Sequence, residues 1–185
     1  MKKITIISGT NRNGSQTLRV STRLAQKYQV LGAQVNVLDL CKLPAEIFTP
    51  EAYSQKPAEF EPFSKAVLES DGLVVVTPEY NGSFPGVLKL FIDHLKFPES
   101  FEKRPVAFVG LAAGMWGALR SVEQLQLIFA YRNGFLFNER VFIPRVDSQI
   151  DENGEAKESL LRGLIDSQVK NFLEYVKSLE NAVHR

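Results

Sequence analysis

Lys3-Ile4-Thr5-Ile6-Ile7-Ser8 runs straight into Gly9-Thr10-Asn11-Arg12-Asn13-Gly14-Ser15-Gln16-Thr17, and an amphipathic stretch follows. The apolar, β-branched run reads as a strand buried on both faces. It stops at small and hydroxyl-bearing residues with one guanidinium among them, the composition of an anion pocket at a helix N-terminus. Unpaired backbone N–H groups and the helix dipole favour a negative group there. Ser15 and Thr17 add hydroxyl donors, and Arg12 offers a forked, charge-assisted contact to a phosphate. Strand, loop and helix in that succession open a parallel α/β fold and predict a protein that holds a phosphorylated molecule.

The same alternation continues downstream. Leu73-Val74-Val75-Val76-Thr77 and Pro105-Val106-Ala107-Phe108-Val109-Gly110-Leu111 are continuously apolar, as a parallel sheet covered on both faces requires. Gln34-Val35-Asn36-Val37-Leu38-Asp39 alternates, which suits an edge strand. A fifth strand is expected within Phe135 to Ile143, near Val141-Phe142-Ile143. Helical spacing fills the gaps: Leu18, Leu24, Ala25 and Tyr28; Phe63, Ala66, Val67 and Leu68; Val87, Leu88, Phe91, Ile92 and Leu95; then Ala118 to Tyr131 and Ala156 to Leu179. Strands alternating with helices predict a three-layer sandwich. With five parallel strands and a phosphate loop after the first, the expected order is the flavodoxin-like 2-1-3-4-5 with helices on both faces. One such domain is expected over residues 1–185. Leu43 to Pro62 carries four prolines (Pro44, Pro50, Pro57, Pro62) and reads as an irregular surface excursion.

Composition narrows the class. Lys plus Arg number 22 against 21 acidic residues, a net charge of +1, so no global field recruits nucleic acid. One cysteine, Cys41, excludes an intramolecular disulfide. No apolar run approaches the ~20 residues of a membrane span, and no signal-peptide pattern precedes the first strand, so a cytoplasmic protein without a membrane partner is expected.

In such sheets ligands bind beyond the carboxyl ends of the strands, where strand order reverses. The loops expected to converge there are Thr10 to Thr17, Thr77-Pro78-Glu79-Tyr80-Asn81-Gly82-Ser83-Phe84-Pro85-Gly86, and Ala112-Ala113-Gly114-Met115-Trp116-Gly117-Ala118. Small residues let backbone approach a ligand, and Tyr80 and Trp116 offer flat apolar surface to a ring. One loop for a phosphate and two for a ring describe a mononucleotide with a broad planar head. Neither Gly-x-Gly-x-x-Gly nor Gly-x-x-x-x-Gly-Lys-Ser/Thr is present, which argues against a dinucleotide site of Rossmann type and against triphosphate hydrolysis. Two histidines, no metal-ligand spacing and no Gly-x-Ser-x-Gly elbow leave no evident protein nucleophile or metal site, so the chemistry shifts to a bound cofactor.

These motifs resemble those of the NAD(P)H-dependent FMN reductases, the flavodoxin-like quinone, azo-dye and chromate reductases. The opening loop is similar to their Gly-Ser-x-Arg-x-x-Ser pattern, with Thr10 for the first serine and Arg12 and Ser15 in place. Thr77 to Lys89 resembles their Pro-Glu-Tyr-Asn segment and the helix after it, and Gly114-x-x-Gly117-x-x-Arg120 resembles their third loop. The resemblance implies FMN held at its phosphate by Thr10, Arg12, Ser15, Gln16 and Thr17. Pro78, Glu79, Tyr80, Asn81 and Gly82 would meet the polar edge of the ring, and Ala113, Gly114, Trp116 and Gly117 would flank it. It further implies NADPH or NADH as donor, a small-molecule acceptor, reaction at flavin N5 with no catalytic side chain, and a homodimer or tetramer. Ala112, Ala118, Leu90 and His94 depart from the family's usual Ser, Gly, Asn and Trp, which bears on substrate preference.

The remaining signals have plainer readings. Glu79 is expected to be structural and Tyr80 to pack by its ring. His94 falls on an apolar helix face and is expected to be packed, Cys41 to be a core or rim residue, and His184 to sit in an exposed charged tail. Lys2-Lys3 and Lys103-Arg104 read as solvated strand ends. Phe129, Tyr131, Phe135 and Phe137 serve either a subunit face or the core. The alternative function is a one-electron carrier of flavodoxin type, for which the near-neutral charge supplies no acidic docking face.

Overall fold

A computed structural model describes residues 1–183; His184 lies outside them. Three strands form the centre: β1 (Lys3–Ser8), β3 (Gly72–Pro78) and β4 (Pro105–Leu111), the last two buried along their whole length. The edge strand β2 (Gln34–Asp39) is largely part-exposed, as its alternating sequence demands. With β5 (Phe135–Leu136) at the far edge, all pairs are parallel and the order is β2-β1-β3-β4-β5, the flavodoxin-like arrangement. Because strand side chains alternate between faces, β3 sends Val74 and Val76 into one core and Leu73 and Val75 into the other. The first core is roofed by α1 (Gln16–Val30) and α6 (Ser159–Val183), through Val20, Leu24, Tyr28, Ile165, Val169 and Phe172. The second is covered by α2 (Glu61–Leu68), α3 (Gly86–His94) and α4 (Leu119–Tyr131), through Val67, Leu88, Phe91, Val122, Leu125 and Phe129. Phe129 therefore belongs to the core, whereas Tyr131 is exposed.

The fifth strand is broken in two. β5 (Phe135–Leu136) pairs with the start of β4, and β6 (Val141–Ile143) pairs with its end through Val109↔Val141 and Leu111↔Ile143. Between them the buried Gln168 of α6 donates its amide N–H to Phe108 O at 3.0 Å and to Glu139 O at 2.7 Å. A side chain thus occupies the carbonyl that a continuous strand would have paired, which otherwise would cost about 1–3 kcal/mol if left unsatisfied. β6 leads through Pro144 and Arg145 into a single turn, α5 (Val146–Gln149).

The proline-rich excursion is more firmly anchored than its composition suggests. It folds into short 3₁₀ turns that sink Ile47, Ala52 and Phe60 into the second core. His94 is buried beneath it, stacked on Tyr53 at 4.3 Å and edge-on to Phe60. Burial, with Lys56 nearby, holds its pKa below the ordinary histidine value. Two strand-end expectations are corrected. Lys2 is buried, with its ammonium 3.7 Å from Asp71. Arg104 is half-buried, and its guanidinium donates to the carbonyls of Leu68, Ser70, Glu99 and Ser100, so it ties the approach to β3 to the approach to β4. Cys41 is exposed, so of its two expected places the core is excluded.

Candidate functional site

The loops after β1, β3 and β4 meet at the carboxyl ends of the strands, around a cleft of about 560 Å³. Its walls are Arg12, Asn13, Ser15, Gln16, Thr17, Pro78, Glu79, Tyr80, Leu111, Ala112, Ala113, Val146 and Asp147. A groove of similar size runs along α1 beside the Asp151–Glu155 turn, but it gathers no loop from β3 or β4.

The first loop is drawn against the sheet by Gly9, whose N–H donates to Val76 O at 2.8 Å. A Cβ there would lie 2.9 Å from that oxygen, so only glycine permits the approach. Ser15 caps α1: its extended backbone turns the chain and its hydroxyl accepts the Leu18 N–H at 3.1 Å. That leaves the Gln16 and Thr17 N–H groups without a partner among the described residues. They are the first N–H groups of a 15-residue helix and form its positive end, a cradle suited to an anion. Thr10 is engaged otherwise. Its buried hydroxyl accepts the Arg12 N–H at 3.3 Å and shares a hydrogen with the Tyr80 hydroxyl at 2.7 Å. Arg12 in turn lies over the Tyr80 ring, 5.1 Å from its centroid. The first two loops are therefore coupled through Thr10, Arg12 and Tyr80.

The second loop closes on itself. Tyr80 and Ser83 exchange backbone hydrogen bonds at 2.8 and 3.1 Å across Asn81 (φ 53°) and Gly82 (φ 76°). Two left-handed central residues make this a type I′ turn, the one Asn-Gly favours. Helix α4 clamps it: Gln124 donates to Gly82 O at 3.2 Å and accepts from the Ser83 hydroxyl at 2.5 Å. Arg120 pairs with Glu79 Oε1 at 3.1 Å and stacks on Trp116 at 6.0 Å. Glu79 Oε2 is buried with no partner among the described residues.

In the third loop Ala113, Gly114 and Trp116 are exposed, while Gly117 is buried. A Cβ on Gly117 would sit 2.9 Å from Ile143 N, and one on Gly110 would sit 2.5 Å from Gly117 O. Gly117 is thus required by packing against β6. Ala112 N–H donates to Ile143 O, while Arg145 and Val146 donate to Gly114 O and Ala112 O at 2.9 and 3.0 Å. This ladder brings Asp147 into the cleft, where Oδ1 accepts from Gln16 Nε2 at 3.1 Å.

Of the residues singled out in the sequence, Arg12, Ser15, Gln16, Thr17, Pro78, Glu79, Tyr80 and Ala113 line the cleft. Thr10, Asn81, Gly82, Gly114, Trp116 and Gly117 stand outside its lining, supporting or flanking it. Val146 and Asp147 were not legible in the sequence. They follow a broken strand and carry no motif, and Asp147 meets Gln16 across 131 positions. Among the described residues no cluster of His, Cys, Asp and Glu is placed to hold a metal, and no helix is long and apolar enough to cross a membrane.

Sheet order, anion cradle and the loops beyond β3 and β4 define a flavodoxin-like α/β protein. The chain belongs to the NADPH-dependent FMN reductase family, whose profile it matches over residues 2–147. It is an oxidoreductase with FMN as cofactor and NAD(P)H as electron source. It is 28% identical to an NAD(P)H-dependent FMN reductase of Pseudomonas aeruginosa over 96% of both chains. It is 27% identical to a 2-hydroxy-1,4-benzoquinone reductase of a Burkholderia species, over 95% of this chain and 96% of that one. In fold it is similar to FerB, a flavoenzyme NAD(P)H:acceptor oxidoreductase of Paracoccus denitrificans. The TM-score is 0.79 at 19% identity, with 96% and 98% of the two chains covered. The cleft suits FMN: N–H donors with no partner among the described residues and a guanidinium belong to its first loop, and the unpartnered acceptors Gln16 Oε1 and Glu79 Oε2 suit donors from a ligand.

Proposed function

We propose that the chain reduces a quinone, azo compound, free flavin or similar small acceptor with NADPH or NADH, the two substrates using one site in turn by a ping-pong mechanism. Bound FMN would supply the redox chemistry, accepting a hydride and passing two electrons on. The observation that carries this reading is the pair of N–H groups of Gln16 and Thr17, unpartnered among the described residues, which share with Arg12 a cleft also walled by Pro78–Tyr80 and Ala112–Ala113. Those N–H groups, Arg12 and the hydroxyl of Thr17 would hold the phosphate, with Thr10 and Ser15 fixing the loop that presents them. Backbone groups of Pro78 to Gly82, with the Asn81 side chain, would meet the polar edge of the ring. Ala113, Gly114 and Trp116 would flank it, with Gly117 setting the path of their loop. The names of the Pseudomonas and Burkholderia relatives support flavin and quinone acceptors.

A second copy of the chain belongs to the proposal. On α4, Leu127 and Tyr131 are about three-quarters exposed, next to Ile92 and Ile128 in a shallow groove. Large apolar side chains left in water on one helix favour self-association. Light scattering should give a dimer or tetramer of the 20.8 kDa chain; a monomer at working concentration overturns this part.

The catalytic proposal is tested by mixing protein, FMN and NAD(P)H without oxygen and following the flavin absorbance. Bleaching, then recovery on adding a quinone, is expected; a flavin that stays oxidised refutes the proposal. Arg12→Ala should weaken FMN binding roughly 10-fold or more, since a charge-assisted hydrogen bond to phosphate is worth about 1.5–3 kcal/mol.

A further inference from the structure

Asp147 sits oddly in a cleft that otherwise favours anions. It is a carboxylate with no cationic partner among the described residues, and its side chain accepts there only from Gln16 Nε2, at 3.1 Å. Because a carboxylate only accepts, Gln16 must turn its Nε2 toward Asp147, which leaves Oε1 facing away. That Oε1 is buried and has no partner among the described residues. Two adjacent side chains thus present acceptors with no protein partner among the described residues, the buried Gln16 Oε1 and the exposed Asp147 Oδ2.

Their neighbours in the cleft tell what they face. The Gln16 and Thr17 N–H groups and Arg12 supply donors and positive charge. The Tyr80 ring, over which Arg12 lies, and the small residues Ala112 and Ala113 supply flat or open wall. Asp147 and the Gln16 amide belong to a different wall, joined from α5 and the start of α1. A carboxylate repels phosphate and gains little from an apolar ring. It gains most from neutral hydroxyl donors, whose hydrogen bonds to a charged acceptor are the stronger kind. A ligand matching donor wall, acceptor pair and flat wall carries a phosphate, a polyhydroxyl chain and a ring.

We propose that Asp147, aligned by Gln16, is the acceptor for the hydroxyls of the sugar-alcohol chain of the flavin. This rests on FMN being the ligand of the cleft. Asp147 is held there by backbone: Val146 N–H donates to Ala112 O at 3.0 Å, and Arg145, in the left-handed region at φ 46°, donates its N–H to Gly114 O at 2.9 Å. The strand pairing of β6 with β4 therefore sets where the carboxylate stands, and the exposed Asp147 side chain can be replaced without disturbing either core.

Three flavins separate the contributions: FMN, riboflavin, which lacks the phosphate, and lumiflavin, which lacks the whole chain. Each is titrated by fluorescence against the unsubstituted protein, Asp147→Ala, Asp147→Asn and Arg12→Ala. Asp147→Ala is expected to weaken FMN and riboflavin alike, about tenfold, and to leave lumiflavin unchanged. Asp147→Asn, which keeps one acceptor oxygen, should lose less, while Arg12→Ala should weaken FMN alone. Equal losses for all three flavins would overturn the proposal, because Asp147 would then only be propping the loop. Tighter FMN with unchanged riboflavin would overturn it too, marking Asp147 as a charge opposed to the phosphate. If the unsubstituted protein binds none of the three flavins, the FMN reading itself falls, and this inference with it.

Discussion

The loops after β3 and β4 both turn through consecutive left-handed residues, yet they do so for different reasons. In the first, Asn81 and Gly82 form a self-contained type I′ turn, and a Cβ on Gly82 would meet only Arg120 Cδ at 3.9 Å. In the second, Gly117 (φ 56°) and Ala118 (φ 68°) are buried, and a Cβ on Gly117 would strike the backbone of β6 at 2.9 Å. Gly82 is there for its conformation, and Gly117 for conformation and space together. The turn at Asn81 closes on its own backbone and meets α4 through side chains, whereas the turn at Gly117 is backbone laid on the backbone of β6.

That difference can be broken by substitution. Gly117→Ala adds a left-handed penalty of about 1–2 kcal/mol to an overpacking cost of about 1–3 kcal/mol, so a total loss near 3 kcal/mol is expected in urea unfolding. A loss no greater than that of Gly82→Ala would erase the distinction. Gly82→Ala should cost only the conformational part, about 1 kcal/mol. Its effect should be confined to the Tyr80–Ser83 turn, as read by amide protection.

The smallest expected effect sharpens the same comparison. Arg120→Ala removes an ion pair that is exposed at its Arg120 end and largely covered at its Glu79 end, and should change stability by about 1 kcal/mol or less. Because Trp116 is the single tryptophan and Arg120 stacks on it, its emission should nevertheless shift. Unaltered emission would mean that Arg120 does not hold the indole.

Much of the site was legible because its parts are local. The loop proposed to hold the phosphate is one continuous segment whose free N–H groups follow from where a helix begins, and Asn81-Gly82 names its own turn type. Eight of the proposed residues do line the cleft, Arg12 and Tyr80 among them. Thr10 shows the limit of local reading. Its hydroxyl looks free in the sequence, but in the fold it is committed to Tyr80, 70 positions away. Arg104 likewise looks like a solvated strand end until the carbonyls of Leu68 and Ser70 arrive beside it.

By itself the sequence determined the alternation of strands and helices and the free helix start at Gln16, because apolar runs, helical periodicity and capping residues act within a few positions of themselves; the sheet order was then the one such α/β chains adopt. Tertiary structure alone decided three further things. One is that Gln168 divides the last strand in two. Another is that Gly117 is fixed by the backbone of β6. The third is that Asp147 joins Gln16 in the cleft. Each of these is a contact between segments far apart in the chain. Such contacts exist only once the sheet has set its register, and no local pattern encodes them.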